Sequence, residues 1–221
     1  ARERSLPLFI LGGGSNILVA DDGFDGLVLA VRIPGIISKE QGDHVLVSAG
    51  AGVVWDELVL WTIERRFAGF ECLSGVPGTV GGAVVVNLGC YGSQSSDTFV
   101  SANVLDLQDP NGVPQIFKKD VCHFSYHDSL FAREPGRYLI LGATFALSAN
   151  GVPRLSYRDH RFDMATLAAK SGYEPTLLDV RSAVLDVRKK KGSLIMKNRH
   201  SYQCAGSFFH MPFISSEQYT E

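Results

Sequence analysis

Eighteen consecutive residues, Gly75 to Gly92, contain six glycines and no charged side chain, and no other feature of the sequence restricts the fold as strongly. Glycine inside a regular element costs roughly 0.5–1 kcal/mol relative to alanine. A stretch that gives up side chains over such a length is expected to bring its backbone close to a flat ring or a diphosphate, or else to consist of tight turns. A second cluster, Gly12-Gly13-Gly14-Ser15-Asn16, follows one short apolar run and precedes another. The dinucleotide fingerprint GxGxxG must open a helix, so it does not apply here. Three successive glycines can still turn N–H groups toward a phosphate, with Ser15 and Asn16 adding side-chain donors, or they can form a simple turn.

The composition is that of a globular chain, with 221 residues of which 45% are hydrophobic, and it excludes disorder and collagen-like repetition. Twenty-one basic against 23 acidic residues give a net charge of −2, so neither nucleic acid nor an anionic membrane is an expected partner. No apolar run reaches the roughly 18 residues that cross a bilayer, and Ala1-Arg2-Glu3-Arg4 does not open a signal peptide. Cys72, Cys90, Cys122 and Cys204 are widely spaced, which fits reduced, buried thiols in the cytoplasm better than a zinc site. His123 and His127 lack a nearby third ligand. The chain starts without Met, and Ser215 to Glu221 resembles the opening of a helix, so the sequence reads as an excerpt.

Strands are expected at Leu8–Leu11, Ile17–Ala20, Leu27–Val31, His44–Ala49, Val100–Leu107, Pro114–Phe117 and Tyr138–Leu147, each bounded by glycine, proline or Asp/Asn turns. Trp55, Leu58, Val59, Thr62 and Ile63 fall on one face of a helix over residues 55–66. A second helix opens at Pro175 and stops at Gly192. The fold class is α+β, rich in strands. Arg188-Lys189-Lys190-Lys191 complements the end of that helix or supplies an anion-binding lysine, with Lys191 nearest the break. Ser207, in Gly206-Ser207-Phe208-Phe209, lacks the GxSxG context of a hydrolase nucleophile and is otherwise a turn serine.

Taken in order, five segments resemble the UDP-N-acetylenolpyruvoylglucosamine reductases, the MurB family. Gly12 to Leu18 is similar to the family's GxGSNxL loop, Gly75 to Ala83 to (I/V)PGxVGG, and Asn87 to Gly92 to NxGAYG. Cys122 to Phe131 is similar to FxYRxSxF, and Ala205 to Pro212 to AGSFFxNP. The resemblance implies an FAD-binding fold of the vanillyl-alcohol-oxidase (PCMH) type, with two α/β subdomains and a C-terminal substrate domain. On that pattern residues 1–34 form part of the first subdomain, 35–200 the second, and 201–221 the start of the substrate domain. A strand and helix ahead of Ala1, and a catalytic glutamate beyond Glu221, are then outside the sequence.

The same resemblance assigns Gly12, Gly13, Gly14, Ser15, Asn16 and Ile17 to the FAD diphosphate. Pro77, Gly78, Thr79, Gly81, Gly82, Ala83, Asn87, Gly89 and Tyr91 surround the rest of the cofactor. It implies that NADPH reduces the flavin and that hydride then passes to UDP-N-acetylglucosamine enolpyruvate in peptidoglycan precursor synthesis. Ser207 matches the general acid, Tyr157 the tyrosine that closes over substrate, and Lys191 a substrate- or cofactor-contacting lysine. His127 stands where the family has the arginine that polarises the enolpyruvyl carboxylate, Met211 where it has an asparagine, and Val86 where it has a glutamine. These departures keep two alternatives open, another FAD oxidoreductase on the same fold and a non-catalytic flavin- or nucleotide-sugar-binding relative. A cytoplasmic monomer is expected.

Overall fold

A computed structural model describes residues 4–158, 163, 166, 173–195, 206 and 214–219. Strands β1 (Leu8–Leu11) and β2 (Leu27–Ala30) pair in parallel, Leu8 opposite Leu27. Strands β3 (Ile36–Gln41), β4 (His44–Gly50), β7 (Phe99–Asp106), β8 (Gln115–Lys118) and β9 (Tyr138–Ser148) form an antiparallel sheet in the order β3-β4-β9-β7-β8. A two-residue pair, β5 (Gly89–Cys90) with β6 (Ser93–Gln94), closes the glycine-dense stretch.

Period-two alternation explains the large sheet. Val45, Val47 and Ala49 of β4 point into the core, and so do Ala143, Phe145 and Leu147 of β9. Two register shifts keep the inward face apolar: Val100 is an extra residue on β7 and Leu141 an extra residue on β9. Beyond them the inward positions change parity, to Ala102 and Val104 on one strand and Ile140 on the other. Helix α1 (Trp55–Glu64) covers this face with the expected set Trp55, Leu58, Val59, Thr62 and Ile63. The Trp55 indole packs 5.0 Å from the Phe70 ring and donates to the Leu73 carbonyl at 3.2 Å.

Helix α5 (Leu177–Lys190) begins with a reciprocal cap: the Thr176 hydroxyl accepts from the Asp179 N–H, and the Asp179 carboxylate accepts from the Thr176 N–H at 2.8 Å. It ends at Gly192, which takes φ 70°. Three one-turn or two-turn helices complete the elements that bear on the site: α2 (Val80–Val85), α3 (Ser95–Thr98) and α4 (Leu130–Arg133), with a 3-10 turn at Glu71–Leu73. The last element among the described residues is α6 (Ser216–Tyr219).

Two expectations are corrected. Ile17–Ala20 is not a strand; no strand among the described residues pairs with it, and Leu18 is 85% exposed. The glycine-dense stretch is not loop throughout, because α2 lies inside it. Strand β3 was not expected, since its sequence IISKEQ carries only two apolar residues.

Candidate functional site

The two glycine clusters meet. After β1 the chain turns through Gly12, whose carbonyl accepts from Arg32 Nη1 at 3.0 Å. On the other side, Thr79 caps α2 through its hydroxyl, and the backbone is sewn to the β4–α1 connection by Val80 N–H to Val53 O and Gly81 N–H to Ala51 O, each 2.9 Å. A Cβ placed on Gly13 would lie 2.7 Å from Gly78 Cα, and one on Gly12 would lie 3.0 Å from Thr79 Oγ1. Backbone therefore touches backbone, and only glycine fits at the contact. Among the described residues, the N–H groups of Gly13, Gly14, Ser15 and Asn16 donate to no protein acceptor. The result is a row of spare donors beside an uncharged glycine surface, which can hold a diphosphate without a basic cluster.

The other residues assigned to this side divide by direction. Gly82 is open, its nearest non-neighbour atom 3.6 Å from an added Cβ. Gly81 is not: a Cβ there would meet the Ala51 side chain at 3.0 Å and the Ala51 carbonyl at 3.2 Å. Ala83 is buried in the core. Pro77 and Gly89 are half-buried, and Ile17 is exposed.

Asn87 is a buried junction, held at φ 42°. Its amide nitrogen donates to the Ser125 carbonyl at 2.7 Å and to Gln94 Oε1 at 3.1 Å, while its oxygen accepts from Ser96 N–H and the Ser95 hydroxyl. The amide is thus satisfied by protein. Through it the turn after α2 is fixed to the segment that carries His127. That segment is further tied by the Ser129 hydroxyl, which donates to the Val85 carbonyl at 2.6 Å. An Asp128–Arg133 ion pair closes it, and Arg133 also reaches the Ser125 hydroxyl. His127 itself is half-buried at φ 50°, with its ring 4.4 Å from Tyr126.

Tyr91, Tyr157 and Lys191 form a third group. The Tyr91 and Tyr157 rings meet edge to face at 5.8 Å, and Lys191 Nζ lies 5.3 Å from the centre of the Tyr91 ring. Beneath them are Cys72, Cys90, Val180 and Val184, with Arg188 almost fully buried. Arg188 donates to the Ser193 carbonyl at 2.8 Å, and its Nε has no partner among the described residues. Burial raises the Tyr91 phenol above its ordinary range, partly offset by Arg188. Burial likewise pushes the Cys72 thiol to about 11 and Cys90 to about 12, so both stay protonated at neutral pH. Cys122, also buried, is raised to about 12. The buried Arg188 was missed in the sequence, although its spacing of four from Val184 and eight from Val180 puts it on the apolar stripe of α5.

Asp56 links α1 to both sides. It accepts from Gly75 N–H at 2.6 Å and takes both Arg181 nitrogens, at 2.6 and 2.8 Å. Burial disfavours its charge, but the Arg181 and Gly75 hydrogen bonds and the charges of Arg181 and Arg188 more than offset that and hold the carboxyl below its usual range. Ser207, Met211 and Cys204 lie outside the described residues. No described helix is long and apolar enough to cross a membrane.

A family model described as "FAD binding domain" matches residues 1–112. The chain is 40% identical to the UDP-N-acetylenolpyruvoylglucosamine reductase of Pseudomonas aeruginosa, over 99% of its own length and 62% of that protein. It is 37% identical to the enzyme of the same name in Cutibacterium acnes, over 99% of its length and 57% of the relative. The crystal structure of UDP-N-acetylenolpyruvylglucosamine reductase (MurB) from Thermus caldophilus shares the fold, with a TM-score of 0.57 and 22% identity over 85% of this chain and 58% of that one. The chain thus spans about 60% of the length of the curated relatives it matches. It belongs to the FAD-binding domain family, with a fold of the vanillyl-alcohol-oxidase type, and over nearly its whole length it is similar to the UDP-N-acetylenolpyruvoylglucosamine reductases.

Proposed function

We propose that this chain is the flavin-holding part of an NADPH-dependent reductase that converts UDP-N-acetylglucosamine enolpyruvate to UDP-N-acetylmuramate. The observation that carries the reading is the backbone contact between Gly13 and Gly78 beside four N–H groups with no protein acceptor among the described residues. That cradle fits the diphosphate of FAD, and Gly82 lies near Gly12 across the Thr79 hydroxyl, with room for a ligand at its own open position. When bound, FAD supplies the hydride chemistry between NADPH and the enolpyruvyl carbon.

The chain's own residues would then bind, orient and move one proton. Gly13 to Asn16 hold the diphosphate by N–H donation. Lys191, with the Tyr91 and Tyr157 pair, orients an anionic substrate, and the buried charge of Arg188 strengthens the local field. Ser207 protonates the enolate formed on the substrate; a hydroxyl is a weak acid, so the alkoxide left behind must be stabilised by its neighbours. His127 takes the place of a guanidinium. A neutral imidazole donates one hydrogen bond where arginine offers a fixed cationic fork, so enolate stabilisation here depends on the protonated ring. The change from the parallel pair to the antiparallel sheet between Ala30 and Ile36 supports a subdomain boundary at residue 34; the family resemblance alone places the end of the second subdomain at residue 200 and the start of the substrate domain at 201. The same reading makes the protein a cytoplasmic monomer.

The histidine at position 127 and Met211 favour one other reading, a different FAD oxidoreductase on the same fold. Anaerobic addition of NADPH to the flavin-loaded full-length protein is expected to bleach the flavin, with colour returning on addition of UDP-N-acetylglucosamine enolpyruvate. Recovery only with another acceptor would select the alternative. Ser207→Ala is expected to leave bleaching intact and slow recovery at least a hundredfold, as for loss of a positioned proton donor.

A further inference from the structure

We propose that Glu71 is a positioning residue whose buried carboxyl group clamps segment 152–157 onto the glycine-rich module and so sets the Tyr157 ring against Tyr91. The consequence for turnover rests on the substrate-facing role proposed for Tyr157; the clamp does not.

Glu71 sits in the 3-10 turn and is only 2% exposed. One oxygen accepts from Gly69 N–H at 2.7 Å, within its own turn. The other accepts from Arg154 N–H, also at 2.7 Å and 83 residues away in sequence. Burying a carboxyl group is costly unless its oxygens are satisfied, and here each takes a backbone donor that would itself be stranded without it. Two further ties converge on Arg154. Its carbonyl accepts from the Cys72 thiol at 3.7 Å, and its guanidinium pairs with Asp97 at 2.8 Å.

What the clamp delivers lies just downstream. Segment 151–157 has no helix or strand of its own, so no ladder holds it. Leu155 packs against the cluster of Cys72, Tyr91, Val180 and Val184. Tyr157 then lies over Gly92, where an added Cβ would come within 3.1 Å of its ring. The tyrosine is therefore located by contacts on the module, at the end of a segment whose buried polar attachment is Glu71, with the Cys72 and Asp97 contacts to Arg154 beside it. Both carboxyl oxygens must accept. An amide at this position would turn an NH2 group toward a backbone N–H.

Glu71→Gln in the flavin-loaded full-length protein tests this. Flavin absorbance and bleaching by NADPH are expected to match the parent. KM for the UDP-sugar is expected to rise about tenfold with kcat within about twofold, and trypsin cleavage after Arg154 and Arg158 to quicken about tenfold, the scale of one lost charge-assisted hydrogen bond. Tyr157→Phe should raise KM similarly, and the double variant should be no worse than the worse single, because one residue acts through the other. Additive effects, or unchanged cleavage, would overturn the proposal. If the parent does not turn over the UDP-sugar, the functional reading fails while the cleavage rates still decide the clamp. Glu71→Asp, which keeps the acid but shortens its reach, replaces Glu71→Gln if that variant does not fold; the same KM and cleavage changes are expected, and unchanged values would overturn the proposal.

Discussion

The two glycine clusters look alike in sequence and differ in what their backbones face. Gly13 and Gly14 stand at the surface with spare N–H groups, and the close approaches of Gly13 to Gly78 and of Gly12 to Thr79 are what bring the clusters together. In the longer stretch many glycines serve the protein's own packing: Gly75 lies against Leu185 and Arg188, Gly81 against Ala51, and Gly92 against Tyr157. Glycine density therefore marks close approach without saying from which side. The side follows from where the nearest atom of a missing Cβ lies.

Variants can break this contrast. The largest effect is expected at Asn87, where the longer stretch is tied to the His127 segment. Asn87→Asp replaces an amide that donates to two acceptors by an oxygen that can donate to neither, and should cost about 3 kcal/mol or more in denaturant unfolding. A shift under about 1 kcal/mol would show that the junction is not a tie. Gly81→Ala comes next, since its Cβ would crowd the Ala51 carbonyl at 3.2 Å; about 1–3 kcal/mol of stability should be lost, with flavin affinity per folded molecule unchanged.

The Asp56–Arg181 pair, which also holds the Gly75 N–H, should contribute less. Its carboxyl is depressed in the folded state, so its stabilisation is full above the unfolded carboxylate value of about 4 and disappears as pH falls through the lower folded value. Arg181→Met should cost about 1–2 kcal/mol at pH 7 and flatten the acid limb of the stability curve. An acid limb identical to the parent's would remove Asp56 from the account.

How much of this could be read from the sequence follows the same division. Helices α1 and α5 and strands β1, β2, β4, β7, β8 and β9 were legible because their apolar periods are long and their ends are marked by proline, glycine or a capping threonine. Helix α2 was not, because Val-Gly-Gly-Ala-Val-Val has poor helix propensity; Val80, Ala83 and Val84 in the core and the Thr79 cap hold it. Ile17–Ala20 shows the reverse error, an apolar run with no partner strand among the described residues. The bulge on β9 leaves no sequence signal, since it only exchanges Leu141 for Ile140 on the inward face, whereas the bulge on β7 keeps Ser101 and Asn103 out of the core and shows as a break in the alternation there. At the site, family resemblance supplied Tyr157 and Lys191, but their grouping with Tyr91 over Arg188 depends on contacts more than 60 residues apart.

The smallest change in stability should come from Gly82→Ala. Its Cβ meets nothing nearer than 3.6 Å, and alanine is the better helix former, so the unfolding midpoint should hold or rise slightly. FAD titration of this variant against Gly81→Ala is therefore the most direct test of the claim that the cofactor lies on the open side of the paired clusters. The account predicts flavin binding at least tenfold weaker for Gly82→Ala with no loss of stability, and unchanged binding by folded Gly81→Ala. Unchanged affinity in Gly82→Ala would contradict it.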